Sequence, residues 1–490
     1  MSCIILEPRR HYGGVVVIWL GIAVVLLAGA AIFRIRAGRM ALRAFHRSHA
    51  RIDRYKLTRK AIVRETLLAD AEIAAAVSEH AAESGTAEEA AWRRVETYID
   101  EIVPFFNLLT YYRFGLVVSR ALLNLFYKVS AEYAGSRETE LPRDSIVVYL
   151  MNHRSNADYV LVGYVLSGRV AISYAVGEWA RIFPLEYIFK SFGAYFIRRK
   201  YREKLYHTVL ERYVQLITRN GVTQGIFLEG GLSRDGKLGR AKIGLLDYLL
   251  GVARDPALRD RLHIVPVAIN YDRVLEDRSL LRELDAREGR RRPPWYVQMG
   301  EVLSYVWWNL ARLIARRWKR YGRASVVIGE PFAVGPWIEA QNREVGDLFG
   351  IGRSERLARI QGLADEALTR IAAIVPVTPV TLACAAVQSF DADFIAHDAL
   401  VGRMEEMLEV LAELNARVIT HEGGVEETFD RAWRMLRMRR MLVRSGEGYA
   451  VIPANRPLIS YYANSVAHLL GPFAEGIRER DALPAIMAMR

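Results

Sequence analysis

A short apolar run that breaks into a polar turn is the feature that most constrains this chain. Residues 145–151, Ser-Ile-Val-Val-Tyr-Leu-Met, have the length and composition of a buried β-strand. The polar run after them holds His153 and, five positions later, Asp158. Within one regular helix five residues turn through about 500°, which would point the two side chains about 140° apart. They can meet only if His153 lies in a strand-to-helix turn and Asp158 in the first turn of a helix that begins near Ser155 or Asn156, residue types that cap helices.

Such a contact would prepare the histidine for proton transfer. Asp158 would accept a hydrogen bond from one ring nitrogen of His153 and leave the other nitrogen as a free base. A histidine that only completes a capping turn is the alternative that spacing alone leaves open. The chain contains no Gly-x-Ser-x-Gly elbow, so a serine nucleophile of that type is not indicated.

Further short apolar runs alternate with helical stretches after the first one. The runs lie at 171–174, 225–228, 263–269 and 325–328. Between them, residues 201–220 have the apolar periodicity of a helix, and Gly221 stands where that helix would end. This alternation predicts an α/β domain with a largely parallel sheet, in which the loops at the strand ends carry the chemistry.

Four ordered motifs resemble those of the glycerolipid acyltransferases. They are Asn-His-Arg-Ser-Asn-Ala-Asp-Tyr at 152–159, Gly-Ala-Tyr-Phe-Ile-Arg-Arg at 193–199, Phe-Leu-Glu-Gly-Gly-Leu-Ser-Arg-Asp-Gly-Lys at 227–237 and Ile-Val-Pro-Val-Ala-Ile-Asn-Tyr at 264–271. Residues 458–468, which include Tyr461-Tyr-Ala-Asn464, resemble a C-terminal signature of the glycerol-3-phosphate and dihydroxyacetone-phosphate acyltransferases. The resemblance implies a glycerolipid-acyltransferase-like α/β sheet flanked by helices. It also implies direct acyl transfer from a thioester to an alcohol, without a covalent enzyme intermediate.

The resemblance assigns roles to individual residues. His153 is expected to take the proton of the acceptor hydroxyl, while Asp158 holds its tautomer and steadies the imidazolium. Arginine forks bind phosphate through two hydrogen bonds, so the candidates for the acceptor's phosphate are basic. The predicted substrate-binding residues are Arg154, Arg198, Arg199, Glu229, Gly230, Ser233, Arg234, Lys237 and Pro266, the last of which is expected to shape the acyl-donor channel. Gly231 stands where the family more often has threonine, which leaves a hydroxyl contact there in doubt.

The expected function is transfer of a fatty acyl group from acyl-CoA or acyl-carrier protein to the sn-1 hydroxyl of glycerol 3-phosphate, the first step of phospholipid synthesis. Dihydroxyacetone phosphate and 1-acylglycerol 3-phosphate are alternative acceptors, and a non-catalytic membrane lipid-binding protein is an alternative of another class. No metal is expected, and no cofactor besides the acyl co-substrate. The sequence does not fix the acyl donor, the chain-length preference or the oligomeric state.

The N-terminal part of the chain predicts a membrane location. Residues 13–33 carry no charge and are long enough to cross about 30 Å of hydrocarbon, although a cleaved signal peptide is the alternative. Residues 34–60 contain ten Arg or Lys and one acid, out of a formal charge of +13 for the whole chain. The positive-inside rule therefore predicts a single-pass protein with its catalytic body in the cytoplasm. The basic cluster beside the span favours anionic membrane lipid, rather than nucleic acid, as the charged partner.

The length of 490 residues exceeds one ordinary domain, and only two cysteines occur, which excludes a disulfide framework. The predicted divisions are a transmembrane anchor at 13–33, a basic juxtamembrane and helical region at 34–130, an α/β acyltransferase domain at 131–335 and a helical C-terminal domain at 336–490. Residues 301–321 form an amphipathic stretch with three tryptophans, for which a membrane surface and the protein core both remain open.

Overall fold

The computed structural model describes residues 55, 60–105, 116–135, 141–142, 144–167, 170–177, 181, 185–198, 201–287, 321–390 and 392–473. The predicted anchor at 13–33, the basic residues at 34–54, residues 301–320 and Arg199 lie outside them.

The prediction of a single-pass membrane protein is wrong for the part of the chain that the structure describes. No helix in that part is both long and apolar enough to cross a bilayer, a crossing that takes about 20 consecutive apolar residues. The helix Arg353–Ala373 has 21 residues, but arginines and acidic residues interrupt it along its whole length.

One eight-stranded sheet lies at the centre of the described structure. Its order is β1-β7-β6-β2-β5-β3-β4, with β8 paired to β6. The strands are β1 Lys128–Tyr133, β2 Ile146–Met151, β3 Ser173–Gly177, β4 Tyr195–Ile197, β5 Gln224–Phe227, β6 Leu262–Tyr271, β7 Arg323–Ile328 and β8 Phe332–Ala333. Strands β2 to β6 run parallel to one another, whereas β7 pairs antiparallel with β6 and parallel with β1. The predicted α/β class is confirmed, with a mixed sheet.

Strand β2 shows why the sheet has two buried faces. Its side chains alternate between the faces, as the period of two in a β-strand requires. Ile146, Val148 and Leu150 join one hydrophobic cluster, while Val147 and Met151 join the other. A continuous apolar run is therefore what a central strand with helices on both sides needs.

Helices cover both faces of the sheet. Up to the end of the eight-stranded sheet they are α1 Lys60–Leu68, α2 Ala71–Ser84, α3 Glu88–Ile102, α4 Leu116–Phe126, α5 Asp158–Leu166, α6 Leu185–Ser191, α7 Lys204–Arg219, α8 Gly244–Leu250, α9 Pro256–Arg259 and α10 Asp277–Arg287. Helices α1 to α3 pack on α7 and share the cluster that contains Ile146. Asp70 caps α2 and also forms an ion pair with Arg212 of α7, which ties the N-terminal helices to the sheet.

The C-terminal region packs on the other face. It follows α11 Gly335–Val345 and α12 Arg353–Ala373 and contains α13 Pro379–Gln388, α14 His397–Glu413, α15 Gly424–Met438 and α16 Arg456–Asn464. Every residue from 379 to 387 is buried, and α14, α15 and α16 surround α13. A small antiparallel sheet, β9 Phe394–Ala396, β10 Leu442–Ser445 and β11 Gly448–Val451, adds to the predicted helices. This region shares one hydrophobic cluster with the central sheet.

Candidate active site

The turn after β2 brings His153 and Asp158 together. Nδ1 of His153 lies 3.0 Å from Oδ2 of Asp158, and both residues are buried. Helix α5 begins at Asp158, slightly later than predicted, because Ser155 to Asp158 first form a turn closed by the bond from Asp158 N to Ser155 O. Asp158 nevertheless occupies the first helical turn, where the contact requires it.

The Asp158 carboxylate accepts several of the hydrogen bonds that hold this turn. Its Oδ2 also accepts hydrogen bonds from the backbone N–H groups of Arg154 (2.7 Å) and Ser155 (3.0 Å), and its Oδ1 accepts one from Tyr271 Oη at 2.6 Å. Because a carboxylate only accepts, Nδ1 of His153 carries the proton and Nε2 is the free lone pair. No hydrogen-bond partner holds Nε2 within the described ranges. Burial, and then the nearby Asp158, raise the pKa of Tyr271 well above its usual value, so it remains a donor.

Aromatic rings fix the plane of the imidazole. The ring of Phe227, at the end of β5, stacks on His153 with centroids 3.9 Å apart, and Tyr159 meets it edge-on at 5.5 Å. These contacts and the bond to Asp158 leave the ring a single orientation. The imidazole is thus held as a general base requires, with one nitrogen anchored and the other available.

Glu229 holds the backbone of the same turn. Its Oε1 accepts from His153 N at 2.8 Å and its Oε2 accepts from Gly239 N at 2.8 Å. Burial raises the pKa of Glu229 to about 7, against the effect of these two bonds. The predicted substrate-binding glutamate therefore lies within the site, where it joins the His153 turn to the loop that follows β5.

Two further residues anchor the turn that holds His153 and Asp158, the His153 turn, to β6 and the segment after it. Asn152 exchanges two hydrogen bonds with the backbone of Ile269, at 2.9 and 2.8 Å. Glu276 accepts from Ser155 Oγ at 2.7 Å and from Asn156 N at 3.2 Å. The turn is thereby tied to its surroundings on both sides of His153.

A buried ion pair connects this segment to the C-terminal region. Asp277, next to Glu276, accepts from Arg439 Nη2 at 2.8 and 2.7 Å and from Tyr462 Oη at 2.6 Å. All three side chains are buried. Tyr462 Oη also accepts the N–H of Val274 at 3.0 Å. The C-terminal region thus holds the segment that contacts the His153 turn.

Arg198 of the second motif lies away from His153. It follows β4, three strands from β2 in the sheet order, which corresponds to about 14 Å at an interstrand spacing of about 4.8 Å. Its Nε donates to Glu101 Oε1 at 2.7 Å, a second guanidinium nitrogen also bonds Glu101, and the group stacks on Tyr201 at 4.9 Å. Arg199 lies outside the described residues.

The third motif forms the loop beside His153. Ser233 N donates to the carbonyl of His153 at 3.0 Å, while Ser233 Oγ donates to Lys237 O at 2.7 Å. Arg234 forms an ion pair with Glu283 of α10, with Nε and Oε2 3.0 Å apart. Gly230 has φ +63°, a conformation that favours glycine. These bonds hold the loop, and its contact with substrate remains a prediction.

Pro266 lies within β6, opposite Leu150 of β2. A proline is unusual in a central strand because it offers no N–H to the ladder. On the other side of β6, Pro266 falls between the β8 and β7 pairings, and its carbonyl accepts from Gly329 N at 2.8 Å. A Cβ on Gly329 would come 2.8 Å from Pro266 Cγ, so the pair is closely packed. The predicted role in an acyl-donor channel remains a prediction.

Among the predicted substrate-binding residues, Arg154 lies in the His153 turn itself. It is 2% exposed, its Nη1 donates to Gly236 O, and its guanidinium lies over the Tyr461 ring, 5.1 Å from the centroid. Its Nε and Nη2 have no hydrogen-bond partner among the residues that the structure describes. The buried atoms Tyr461 Oη and Asn464 Oδ1, both on α16, also have none within the described ranges.

Sequence reasoning did not assign four of the residues around the site. Tyr271 ends the fourth motif and Phe227 begins the third, so both carried a signal through their motifs. Tyr461 likewise belongs to the C-terminal signature. Glu276 carried no signal, because its contact with Ser155 spans 121 positions of the chain.

Two family models match the chain. The model described as "Acyltransferase" matches residues 135–270, which include His153 and Asp158. The model described as "Glycerol-3-phosphate acyltransferase C-terminal region" matches residues 307–474, which include Arg439 and Tyr461.

Curated relatives carry the same name. A glycerol-3-phosphate acyltransferase of Aeromonas hydrophila is 26% identical over 445 residues, which are 89% of this chain and 53% of that protein. One of Xylella fastidiosa is 26% identical over 422 residues, 84% of this chain and 47% of that protein. The chain spans about half the length of these relatives.

A crystal structure of the 1-acyl-sn-glycerophosphate (LPA) acyltransferase PlsC from Thermotoga maritima is 21% identical. The match covers 53% of this chain and 75% of that chain at a TM-score of 0.29. Along this chain, the match to the acyltransferase model is followed by the match to the C-terminal-region model. Together with the names of the curated relatives, these matches identify the chain as a relative of the glycerol-3-phosphate acyltransferases.

Proposed function

We propose that this chain transfers a fatty acyl group from a thioester, acyl-CoA or acyl-carrier protein, to the sn-1 hydroxyl of glycerol 3-phosphate. The observation that carries the proposal is the buried His153–Asp158 pair, whose geometry leaves Nε2 of the imidazole free. The names of the curated relatives support glycerol 3-phosphate as the acceptor.

His153 acts as the general base. The acceptor oxygen attacks the thioester carbonyl carbon while its proton passes to Nε2 of His153. The tetrahedral adduct then breaks its C–S bond, and the departing thiolate takes the proton back from the imidazolium. The Asp158 carboxylate stabilises the imidazolium by accepting the Nδ1–H hydrogen bond of His153, as the aspartate of a catalytic triad does. No covalent enzyme intermediate is required.

Other site residues position the base. Glu229 fixes the backbone at His153, and Tyr271 orients the Asp158 carboxylate from the opposite side. For Arg198 and Arg234 a phosphate-binding role would require the phosphate to compete with Glu101 and Glu283, which already hold their guanidinium groups. Lys237 remains a proposed phosphate contact.

The test is an acyl-transfer assay with the purified full-length chain. Acyl-CoA and acyl-carrier protein are each supplied with glycerol 3-phosphate, dihydroxyacetone phosphate or 1-acylglycerol 3-phosphate at limiting concentration, and the acylated product is quantified. We expect glycerol 3-phosphate to react fastest. A faster reaction of 1-acylglycerol 3-phosphate would assign the chain to the second acylation step, and binding of acyl-CoA without turnover of any acceptor would favour the non-catalytic lipid-binding alternative.

A further inference from the structure

Around Arg154, the buried polar atoms that lack a hydrogen-bond partner in the described part of the chain form one group. They are Nε and Nη2 of Arg154, Oη of Tyr461 and Oδ1 of Asn464. Arg154 and Tyr461 are joined by the stacking of the guanidinium on the ring, and Tyr461 and Asn464 lie three positions apart on α16. A buried polar atom that loses its hydrogen bond costs about 1–3 kcal/mol. Several such atoms in one place therefore suggest a ligand that supplies the missing partners.

The chemistry of the group defines that ligand. Arg154 contributes N–H donors and Tyr461 an O–H donor, while Asn464 Oδ1 is an acceptor. Arg154 forms no ion pair with any carboxylate among the described residues. A buried guanidinium without a counterion is costly unless an anion binds it. The set therefore suits a small molecule that carries both an anionic group with several oxygens and a hydroxyl.

We infer that Arg154, Tyr461 and Asn464 bind the acceptor's phosphate monoester, with Asn464 accepting a hydrogen bond from a hydroxyl of the same molecule. The site spans two parts of the chain, the turn after β2 and helix α16 of the C-terminal region. This inference rests on the proposed function and names the residues that hold the acceptor's phosphate.

Placement next to the base supports the inference. Arg154 directly follows His153 in the turn after β2, and consecutive Cα atoms lie about 3.8 Å apart. Gly236 has φ +88°, and a Cβ there would collide with the carbonyl oxygen of Tyr461. The absence of that side chain allows α16 to approach Arg154. Asn464 Nδ2 secures the approach by donating to Asp235 O at 2.8 Å.

The neighbouring titratable groups do not replace the phosphate. Both carboxylate oxygens of Glu229, whose pKa the Arg154 charge lowers, accept backbone N–H groups. Asp158 is likewise saturated by its donors. Burial lowers the pKa of His468 to about 4, and Arg154 contributes to that shift, so His468 is neutral at pH 7. Arg154 is left as the cation of this group.

The experiment is isothermal titration of the purified full-length chain with inorganic phosphate, glycerol 3-phosphate and glycerol. We expect glycerol 3-phosphate to bind more tightly than inorganic phosphate, and glycerol not to bind. Arg154→Met should weaken the binding of both phosphates about 10- to 100-fold, because it removes charge-assisted hydrogen bonds. Tyr461→Phe keeps the ring and removes only the unpartnered hydroxyl, so it should weaken binding about tenfold in a fold that is otherwise unchanged.

Arg356→Met is the matched control. Arg356 is also partly buried, but it pairs with Asp247 of α8 and lies outside the proposed machinery. Its affinity for phosphate should equal that of the wild type. Wild-type affinity in both folded site variants, or no phosphate binding by the wild-type chain, would overturn the inference.

The acyl-transfer assay separates this inference from the proposed function. If glycerol 3-phosphate is acylated but Arg154→Met and Tyr461→Phe leave its KM unchanged, the phosphate site is wrong and the function stands. If both variants lose phosphate binding and no acceptor is acylated by the wild-type chain, the site stands and the function is wrong.

Discussion

Two arginines at the same edge of the sheet differ in what holds them. Arg154 follows β2 and Arg198 follows β4, and each stacks on a tyrosine, Tyr461 at 5.1 Å and Tyr201 at 4.9 Å. Arg198 is bound through two nitrogens by Glu101, whereas Arg154 has no carboxylate partner in the described part of the chain. The difference arises from helix α3, which brings Glu101 to Arg198 from 97 positions away.

The position of an arginine in a motif therefore does not show whether its charge is available to a ligand. Both arginines belong to motifs that predict phosphate binding. Only tertiary structure shows that Glu101 neutralises the charge of Arg198, and that Arg154, next to His153, has no carboxylate partner among the described residues.

The largest expected effect tests whether the reaction takes place beside Arg154, at the turn that holds His153, rather than beside Arg198. His153→Ala should lower kcat about 10²- to 10⁴-fold, because it removes the general base. Steady-state kinetics with saturating acceptor measures the loss, and circular dichroism verifies the fold. His397→Ala is the matched control, since His397 lies in the C-terminal region and contacts Tyr449 and Glu426. Retention of most turnover in His153→Ala would exclude the proposed mechanism.

A third arginine extends the comparison to a fully buried ion pair. Arg439→Met should lower the free energy of unfolding by about 3–5 kcal/mol, because it leaves Asp277 buried with a lost counterion. Urea denaturation measures this change. Arg456→Met is the control, since Arg456 pairs with the exposed Asp393 and should contribute at most about 1 kcal/mol. Equal losses in the two variants would mean that burial of the Asp277 pair is unimportant.

The contribution of Glu229 to the His153 turn can be tested through the pH dependence of the free energy of unfolding. Its pKa is raised from 4.5 to about 7 by burial, so the folded state holds a proton that the unfolded state has released. The stability from this group is fully present below pH 4.5 and is lost as pH rises through about 7. Glu229→Gln should remove this decline. It should also lose one of the two backbone hydrogen bonds, because an amide NH2 group cannot accept, at a cost of about 1–3 kcal/mol. If Glu229→Gln had the same pH profile of unfolding as the wild type, the loss of stability with rising pH would not come from Glu229.

The smallest expected effect compares the two arginines directly. Arg198→Met should destabilise the fold by about 1–3 kcal/mol, because it leaves the buried Glu101 with one cation fewer. Arg154→Met should change the free energy of unfolding by less than about 1 kcal/mol, because replacing a poorly satisfied buried charge with an apolar group is often neutral. Thermal unfolding without ligand checks both. A larger loss in Arg154→Met would show that Arg154 mainly stabilises the fold.

The sequence predicted the central strands because they are short, continuous apolar runs buried on both faces. It missed β1, in which Lys128 and Glu132 interrupt the apolar pattern, and β4, which has only three residues. The sequence predicted a helical C-terminal domain and missed the hairpin of β10 and β11, because β10 is mostly exposed and offers no buried apolar run. The segments at 13–33 and 301–320 lie outside what the structure describes.

Within the site, the contact between His153 and Asp158 was predictable because five residues leave few geometries. The partners of Arg198, Asp277 and Ser155 were not, since each contact joins positions about 100 or more apart. Sequence spacing reports local geometry, whereas the neutralisation of a charge depends on which distant element packs against it.

The bonds between the sheet and the C-terminal region have a consequence for dividing the chain. Asn270 donates to Pro376 O, Asp272 accepts from Val380 N, and Asp277 is held by residues of α15–α16 and the segment between them. A fragment cut at residue 335 would retain these polar groups but lose their partners and the apolar cover of one face of the sheet. The boundary at residue 335 stays a prediction from the sequence. The described residues on its two sides share one hydrophobic core, and we expect them to unfold together in one cooperative transition.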